Sequence, residues 1–486
     1  MKPQTHARLL CFSVLSLLFV SCENATEKRE DSVNGVYESV GYGRVVKIEE
    51  GEFLLADVTS KSCIALMEGN ISDFQDAFQY KNDTITLQDG INVYYFTRIA
   101  DAPAVCKNDS PEYKMAQEKA NDPEHNFEIL WETFRDHYAY FDLRNVNPDK
   151  MYAQYRPRVT ATTTEPELFF IMYEMLESFD DGHIGIEASD EIEEAAYELY
   201  DAAHSEETEE ETTIPAKPLR GYQVAAAVAE AYIPEGKIMN SGNMRWGMLK
   251  NNVGYVQLNQ MMGLVDLNLP DTVSYRTYWT TYFERDGDTG IETPGEVKAI
   301  NTVLDVIMNE LKDSEALVID VRFNGGGKDE VGMAFLERLN PEDKVVFTKK
   351  GRKGSGFTPD NQVVQKGSAS AYAKPVYLLI SGESASATEI MALSSLSIPS
   401  IMRIGSRTEG VFSDILDKEL PNGWAFGLSS EVYLDMKGNN YEGLGIGPDV
   451  EMNYARDTQE FYRQVMEDLE KQSDRSIERA IEEAAH

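Results

Sequence analysis

The chain has 486 residues, room for roughly two to four domains of usual size and a sizeable core. Its hydrophobic content of 42% and charged content of 26% are those of an ordinary globular protein. A net charge of −38 argues against nucleic acid or an anionic membrane surface as a direct partner, because their phosphates would be repelled.

The start of the chain reads as an export signal. Lys2 and Arg8 are basic, and Leu9 to Val20 is an apolar run of signal-core length, too short to span a bilayer. It ends Phe19-Val20-Ser21-Cys22, which resembles a bacterial lipobox, with Phe19 bulkier than the usual leucine. Residues 1–21 are therefore expected to be a lipoprotein signal peptide, Cys22 the lipidated residue and 22–33 a polar tether. The alternative is a cleaved signal with an incidental cysteine. The expected location is the bacterial cell envelope, periplasm or outer membrane and surface, touching the membrane only through this N-terminal lipid. Cys11 leaves with the signal. Cys63 and Cys106 remain in an oxidising compartment as a candidate disulfide. No histidine lies at zinc-ligand spacing from either.

Residues 34–107 alternate short apolar runs with turn signals (Arg44–Ile48, Phe53–Leu55, Thr84–Leu87, Val93–Phe96), which predicts a small antiparallel β module. Lys107 to Asp122 reads as a polar linker. A helical region is predicted over 120–186. Phe127, Leu130, Trp131, Phe134 and Tyr138 share one helix face, a second helix spans Glu165 to Phe179, and the stretch ends Asp180-Asp181-Gly182-His183. Residues 187–245 are an acidic insertion, read as a solvated helix with a flexible extension rather than a binding tail. Over 246–455 strands and helices alternate. Val253–Leu258, Ala316–Val321 and Pro375–Ile380 are strands, and Pro294–Leu311, Val331–Leu339 and Ala387–Leu396 are helices, so the core is α/β. Residues 456–486 are predicted to form one charged C-terminal helix.

Two strand-to-helix turns carry the chemistry. Asp320-Val321-Arg322-Phe323-Asn324-Gly325-Gly326-Gly327 lets the backbone turn tightly and present N–H groups to an oxyanion. It lacks the spacing of a phosphate-binding loop. The bland alternative is a glycine turn without chemistry. Ser381-Gly382-Glu383-Ser384-Ala385-Ser386-Ala387 can expose a serine hydroxyl beside helix N-terminal N–H groups, or simply cap the helix.

Taken with Ile404-Gly405-x-x-Thr408-x-Gly410, Leu420-Pro421-Asn422-Gly423 and Glu442-Gly443-x-Gly445-Ile446-x-Pro448-Asp449, these runs resemble the tail-specific (C-terminal processing) serine peptidase family over about residues 120–455. The resemblance implies a crotonase/ClpP-like α/β core behind the helical region. It implies a serine endopeptidase forming an acyl-enzyme on Ser386, acting on peptides or proteins, with no metal and no other cofactor. The lysine of the Ser–Lys branch falls at Val411, which cannot take a proton, leaving only a folded-back lysine such as Lys418. The tricorn-core branch instead implies His183 as base and Glu442 as its supporting carboxylate, with the N–H groups of Gly326 and Ala387 as oxyanion hole. His125 and His137 read as surface or packing residues. The interval 187–245 is short for a PDZ module and lacks its carboxylate loop, so no functional PDZ domain is expected. The rival reading is a non-catalytic peptide- or lipophile-binding protein on the same scaffold. Oligomeric state is left open.

Overall fold

The computed structural model describes residues 33–74, 78–204, 218–270, 273–289 and 293–486. The signal peptide, Cys22 and the tether up to residue 32 lie outside them. Among the described residues, no helix is long and apolar enough to cross a membrane.

The N-terminal module is one antiparallel seven-stranded sheet. Its strands are Gly35–Ser39, Arg44–Glu49, Glu52–Val58, Cys63–Asn70, Phe78–Lys81, Thr84–Asp89 and Asn92–Ile99. The order runs fourth, third, second, first, seventh, sixth, fifth. Alternation puts Tyr37, Val46, Ile48, Ile85 and Phe96 into one buried cluster. A disulfide joins Cys63 on the edge strand to Cys106. The segment predicted as a linker contains a helix, Pro111–Glu118. Ser110 caps it by accepting from the Tyr113 N–H, and proline sits at its first position, a start signal outweighed in the sequence by the polar composition.

The helical region holds Pro123–His137, Pro148–Tyr155 and Glu165–Glu177, each opened by a capping side chain and a proline in the first turn. Phe127, Leu130, Phe134, Phe169, Met172 and Phe179 bury against Leu416, Trp424, Phe426 and Leu428 of the hairpin Ile415–Glu419/Ala425–Ser429. The strand Gly185–Glu187, two residues past His183, joins that hairpin as its third strand.

The central sheet runs Val450–Glu451, Ile401–Gly405, Val376–Ile380, Ala316–Asp320, Val253–Leu258, Met244–Met248, Lys237–Met239. The first five strands are parallel, and Met244–Met248 pairs antiparallel with its neighbours on both sides. The sheet therefore takes in residues before 246. Met244 and Trp246 are buried by pairing with Val253–Leu258, a long-range gain that the short run does not advertise. Both faces are covered. Leu317, Ile319, Leu378 and Ile380 pack against Thr293–Leu311, Asp329–Glu337 and Ala387–Ser395. Ala316, Val318, Tyr377 and Leu379 pack against Gly221–Tyr232, Thr458–Glu470 and Arg475–Glu483. The C-terminal segment is thus two helices, not one. The chain breaks at Gln472, whose φ is +56°, and Asp474 caps the second helix through the N–H groups of Ser476 and Ile477.

Candidate active site

The two turns meet at the C-terminal ends of adjacent parallel strands, where α/β sheets open a crevice. Arg322 anchors the first. Its guanidinium is fully buried, paired to Asp320 at 2.6 Å and to Asp474 at 2.9 Å. Asn324 shapes the next step. Its amide donates to the Leu258 carbonyl at 3.0 Å and its oxygen accepts the Gly326 N–H at 2.9 Å. The N–H of Gly326 is therefore not a free donor in this structure.

The serines of the second turn divide by role. Ser381 donates to the Arg322 carbonyl at 2.6 Å and Ser384 to the Val321 carbonyl at 2.8 Å, so both hydroxyls stitch the two turns together. The Ser386 hydroxyl bonds to none of the described residues. Ser386 has φ 52° and ψ −124°, a strained conformation for a residue with a side chain, directly before the helix Ala387–Ser395. Gly326, at φ +111°, faces it. A Cβ there would lie 2.7 Å from the Ser386 Cβ and 3.1 Å from the Ala387 nitrogen, so only glycine fits.

His183 is half-buried at the end of the helical region. Its Nδ1 lies 2.6 Å from the Ser413 carbonyl oxygen. A carbonyl only accepts, so Nδ1 carries the proton and Nε2 is the basic nitrogen. The Asp181 carboxylate accepts from the His183 N–H, the Ser429 hydroxyl and the Tyr138 hydroxyl. No hydrogen bond joins Ser386 to His183 here. They share a neighbour instead. Gly182 packs on Val411, and the Val411 N–H is held by Glu389, one turn along the Ser386 helix.

Two buried carboxylates clamp the loop between them. Glu389 accepts from the Thr408 hydroxyl and from the N–H groups of Gly410 and Val411 at 2.6–2.8 Å. Glu442 accepts from the N–H groups of Phe412 and Ser413 at 2.9 and 3.2 Å, and Arg144 lies 3.5 Å from its other oxygen. Four successive N–H groups are thus held from two sides. Glu442 reaches His183 only through Ser413. Burial raises both carboxyls, Glu389 to about 7 and Glu442 to about 8, with the nearby Asp181 charge adding to the second.

Neither lysine position offers a base. Val411 is buried and aliphatic. Lys418 points into the N-terminal module, where its ammonium pairs with Asp57 and donates to the Tyr42 carbonyl at 2.7 Å, and burial lowers it to about 8. Among the described residues no cluster suits a metal ion. A cleft of about 580 Å³ opens beside the turns, lined by Tyr222, Phe323, Gly325, Glu383, Arg456 and Tyr462 among others. Sequence reasoning missed Ser413 and Asp181 as partners of His183, and left Glu389 without a role although its motif was visible.

Residues 252–452 match peptidase family S41, and residues 119–177 match the tricorn protease C1 domain. The chain carries an S41 peptidase domain. A crystal structure of a candidate peptidase from Parabacteroides merdae ATCC 43184 shares its fold, with 23% identity, a TM-score of 0.54, and coverage of 75% of this chain and 97% of that one. Mature CPAF aligns at 9% identity and TM-score 0.49 over 72% of this chain and 97% of its own. The photosystem II D1 C-terminal processing protease aligns at 12% and 0.39 over 70% and 96%. No curated protein matches the chain significantly. The S41 domain holds both turns, the 408–413 loop and Glu442, whereas His183 reaches it from the helical region.

Proposed function

We propose that this serine peptidase cleaves internal peptide bonds through an acyl-enzyme on Ser386, with His183 as general base and acid. The carrying observation is the state of Ser386. It is the serine of its turn whose hydroxyl is uncommitted, it is strained, and it opens a helix against a glycine. In this reading the Ser386 oxygen attacks the scissile carbonyl while His183 Nε2 takes its proton. The oxyanion meets the free Ala387 N–H at the helix N-terminus. His183 then returns the proton to the leaving amine, and water repeats the sequence on the ester. Glu442 and Glu389 are positioning residues that hold the Ser413 carbonyl against Nδ1.

The test is labelling with a fluorophosphonate probe. Wild type is expected to label at Ser386, Ser386→Ala to lose labelling, and His183→Ala to label about 10²–10⁴-fold more slowly. An unlabelled wild type, or equal labelling of Ser386→Ala, sinks the proposal. One observation favours the rival, a non-catalytic peptide or lipophile binder: Ser386 and His183 are not hydrogen-bonded at rest. Resting catalytic contacts are often long, so the same labelling decides between the two.

The lipobox-like run supports lipidation of Cys22 and anchoring in the cell envelope. Incorporation of labelled palmitate in cells, lost in Cys22→Ala, tests that. Retained label in Cys22→Ala would rule it out.

A further inference from the structure

We propose that the N-terminal β module is part of the catalytic unit, and that Tyr42 is a positioning residue for His183; this rests on the peptidase reading above. Three hydrogen bonds connect them. The Tyr42 hydroxyl donates to Glu431 Oε1 at 2.7 Å. The Glu431 N–H donates to the Ser413 hydroxyl oxygen at 3.0 Å. The Ser413 carbonyl accepts His183 Nδ1–H at 2.6 Å. Glu431 is buried and fixed from other sides too. Lys349 pairs with it at 2.6 Å, Tyr433 donates to its carboxylate, and Tyr140 of the helical region donates to its carbonyl at 2.6 Å.

The turn that presents Tyr42 is built for this contact. Gly41, Tyr42 and Gly43 all have positive φ, at 87°, 64° and 59°. A tyrosine in that region is strained, and such strain persists only where surrounding structure holds it. Both sides of the contact are shaped to match. A Cβ on Gly351 would lie 2.9 Å from the Tyr42 ring and hydroxyl, and a Cβ on Gly43 would lie 2.7 Å from His137 Nε2. Lys418, on the strand that follows Ser413 and Asp414, donates to the Tyr42 carbonyl. The module thus grips the His183-bearing assembly at a hydroxyl, a carbonyl and a ring face.

The experiment measures fluorophosphonate labelling of the full chain, separating the maximal rate from probe affinity, for wild type, Tyr42→Phe, His183→Ala and the double variant. Tyr42→Phe keeps the ring and loses only the hydroxyl. It is expected to slow the maximal rate about tenfold, the scale of a small misplacement of a reacting group, with probe affinity and melting temperature unchanged. In the His183→Ala background the same substitution is expected to change the residual rate by less than about twofold, because both act through one group. Gly351→Ala, which displaces the ring from the other side, is expected to give the same loss. A wild-type rate in Tyr42→Phe, or an undiminished effect in the His183→Ala background, overturns the positioning role while leaving the peptidase reading intact. An unlabelled wild type overturns both.

Discussion

His183 Nδ1 and the Ser413 carbonyl oxygen stand 2.6 Å apart, and that contact decides which ring nitrogen can act as a base. A side chain that cannot take a proton at the Nε2 position should fail. His183→Gln is expected to slow labelling of Ser386 by about 10²–10⁴-fold, the usual worth of a general base. Rate measurements on folded variant check this, and a loss below tenfold would remove His183 from the mechanism.

Glu389 lies on the Ser386 helix but holds the loop that orients His183. Glu389→Gln puts an amide where three donors converge, so the loop must shift. Labelling is expected to slow by about 10–100-fold. Binding of a competitive peptide should be little changed. An unchanged rate would mean that Glu442 holds the loop unaided.

Gly326 admits no side chain without meeting Ser386 and the Ala387 N–H. Gly326→Ala should cost at least about 100-fold in rate, comparable to losing an oxyanion donor. Strain at φ +111° adds a loss of about 1–3 kcal/mol in stability. Urea unfolding and labelling of the same preparation separate the two effects.

The raised carboxyls predict how stability follows pH. The folded chain keeps protons on Glu389 and Glu442 that the unfolded chain releases near their ordinary value of 4.5. Their contribution is full below that pH and is lost as pH rises through about 7 and about 8. His137 acts oppositely: burial lowers it from 6.5 to about 4, so its contribution is full above 6.5 and lost as pH falls towards 4. Melting temperature should therefore decline between pH 6.5 and 8.5, and decline less in Glu442→Gln, which cannot ionise. Equal slopes in the two proteins would contradict the assignment.

Arg322 is ion-paired with two buried carboxylates at once. Arg322→Met leaves Asp320 and Asp474 uncompensated, and a loss of about 3–5 kcal/mol is expected in denaturant unfolding. A loss under about 1 kcal/mol would show that the pocket admits water freely.

Much of this was legible in the chain because it is carried by local patterns. Continuous apolar runs such as Ala316–Ile319 announce strands covered on both faces, and small residues around Ser386 announce a tight strand-to-helix turn. His183 was singled out by the family resemblance, and the structure sets its Nδ1 against the Ser413 carbonyl. That partner was not legible, because a backbone carbonyl has no residue type to read. Nor was Tyr42, whose role depends on a glycine more than 300 positions away in strand Lys344–Lys353. The break at Gln472 is short, lying between two helical stretches, Thr458–Glu470 and Arg475–Glu483, and a single-helix reading passes over its cap signal Ser473-Asp474. It becomes intelligible once Asp474 is seen to serve Arg322 and the following helix together.

Arg322 and Asp474 are 152 residues apart in sequence, and this separation has a consequence in time. While the chain is being made, the first site turn emerges with its arginine paired only to Asp320 and one face of the sheet covered only by Gly221–Tyr232. Only when Thr458–Glu470 and Arg475–Glu483 arrive can the rest of that face be covered and the turn locked through Asp474. The first site turn is therefore fixed by residues made long after it, so the site is completed late in assembly.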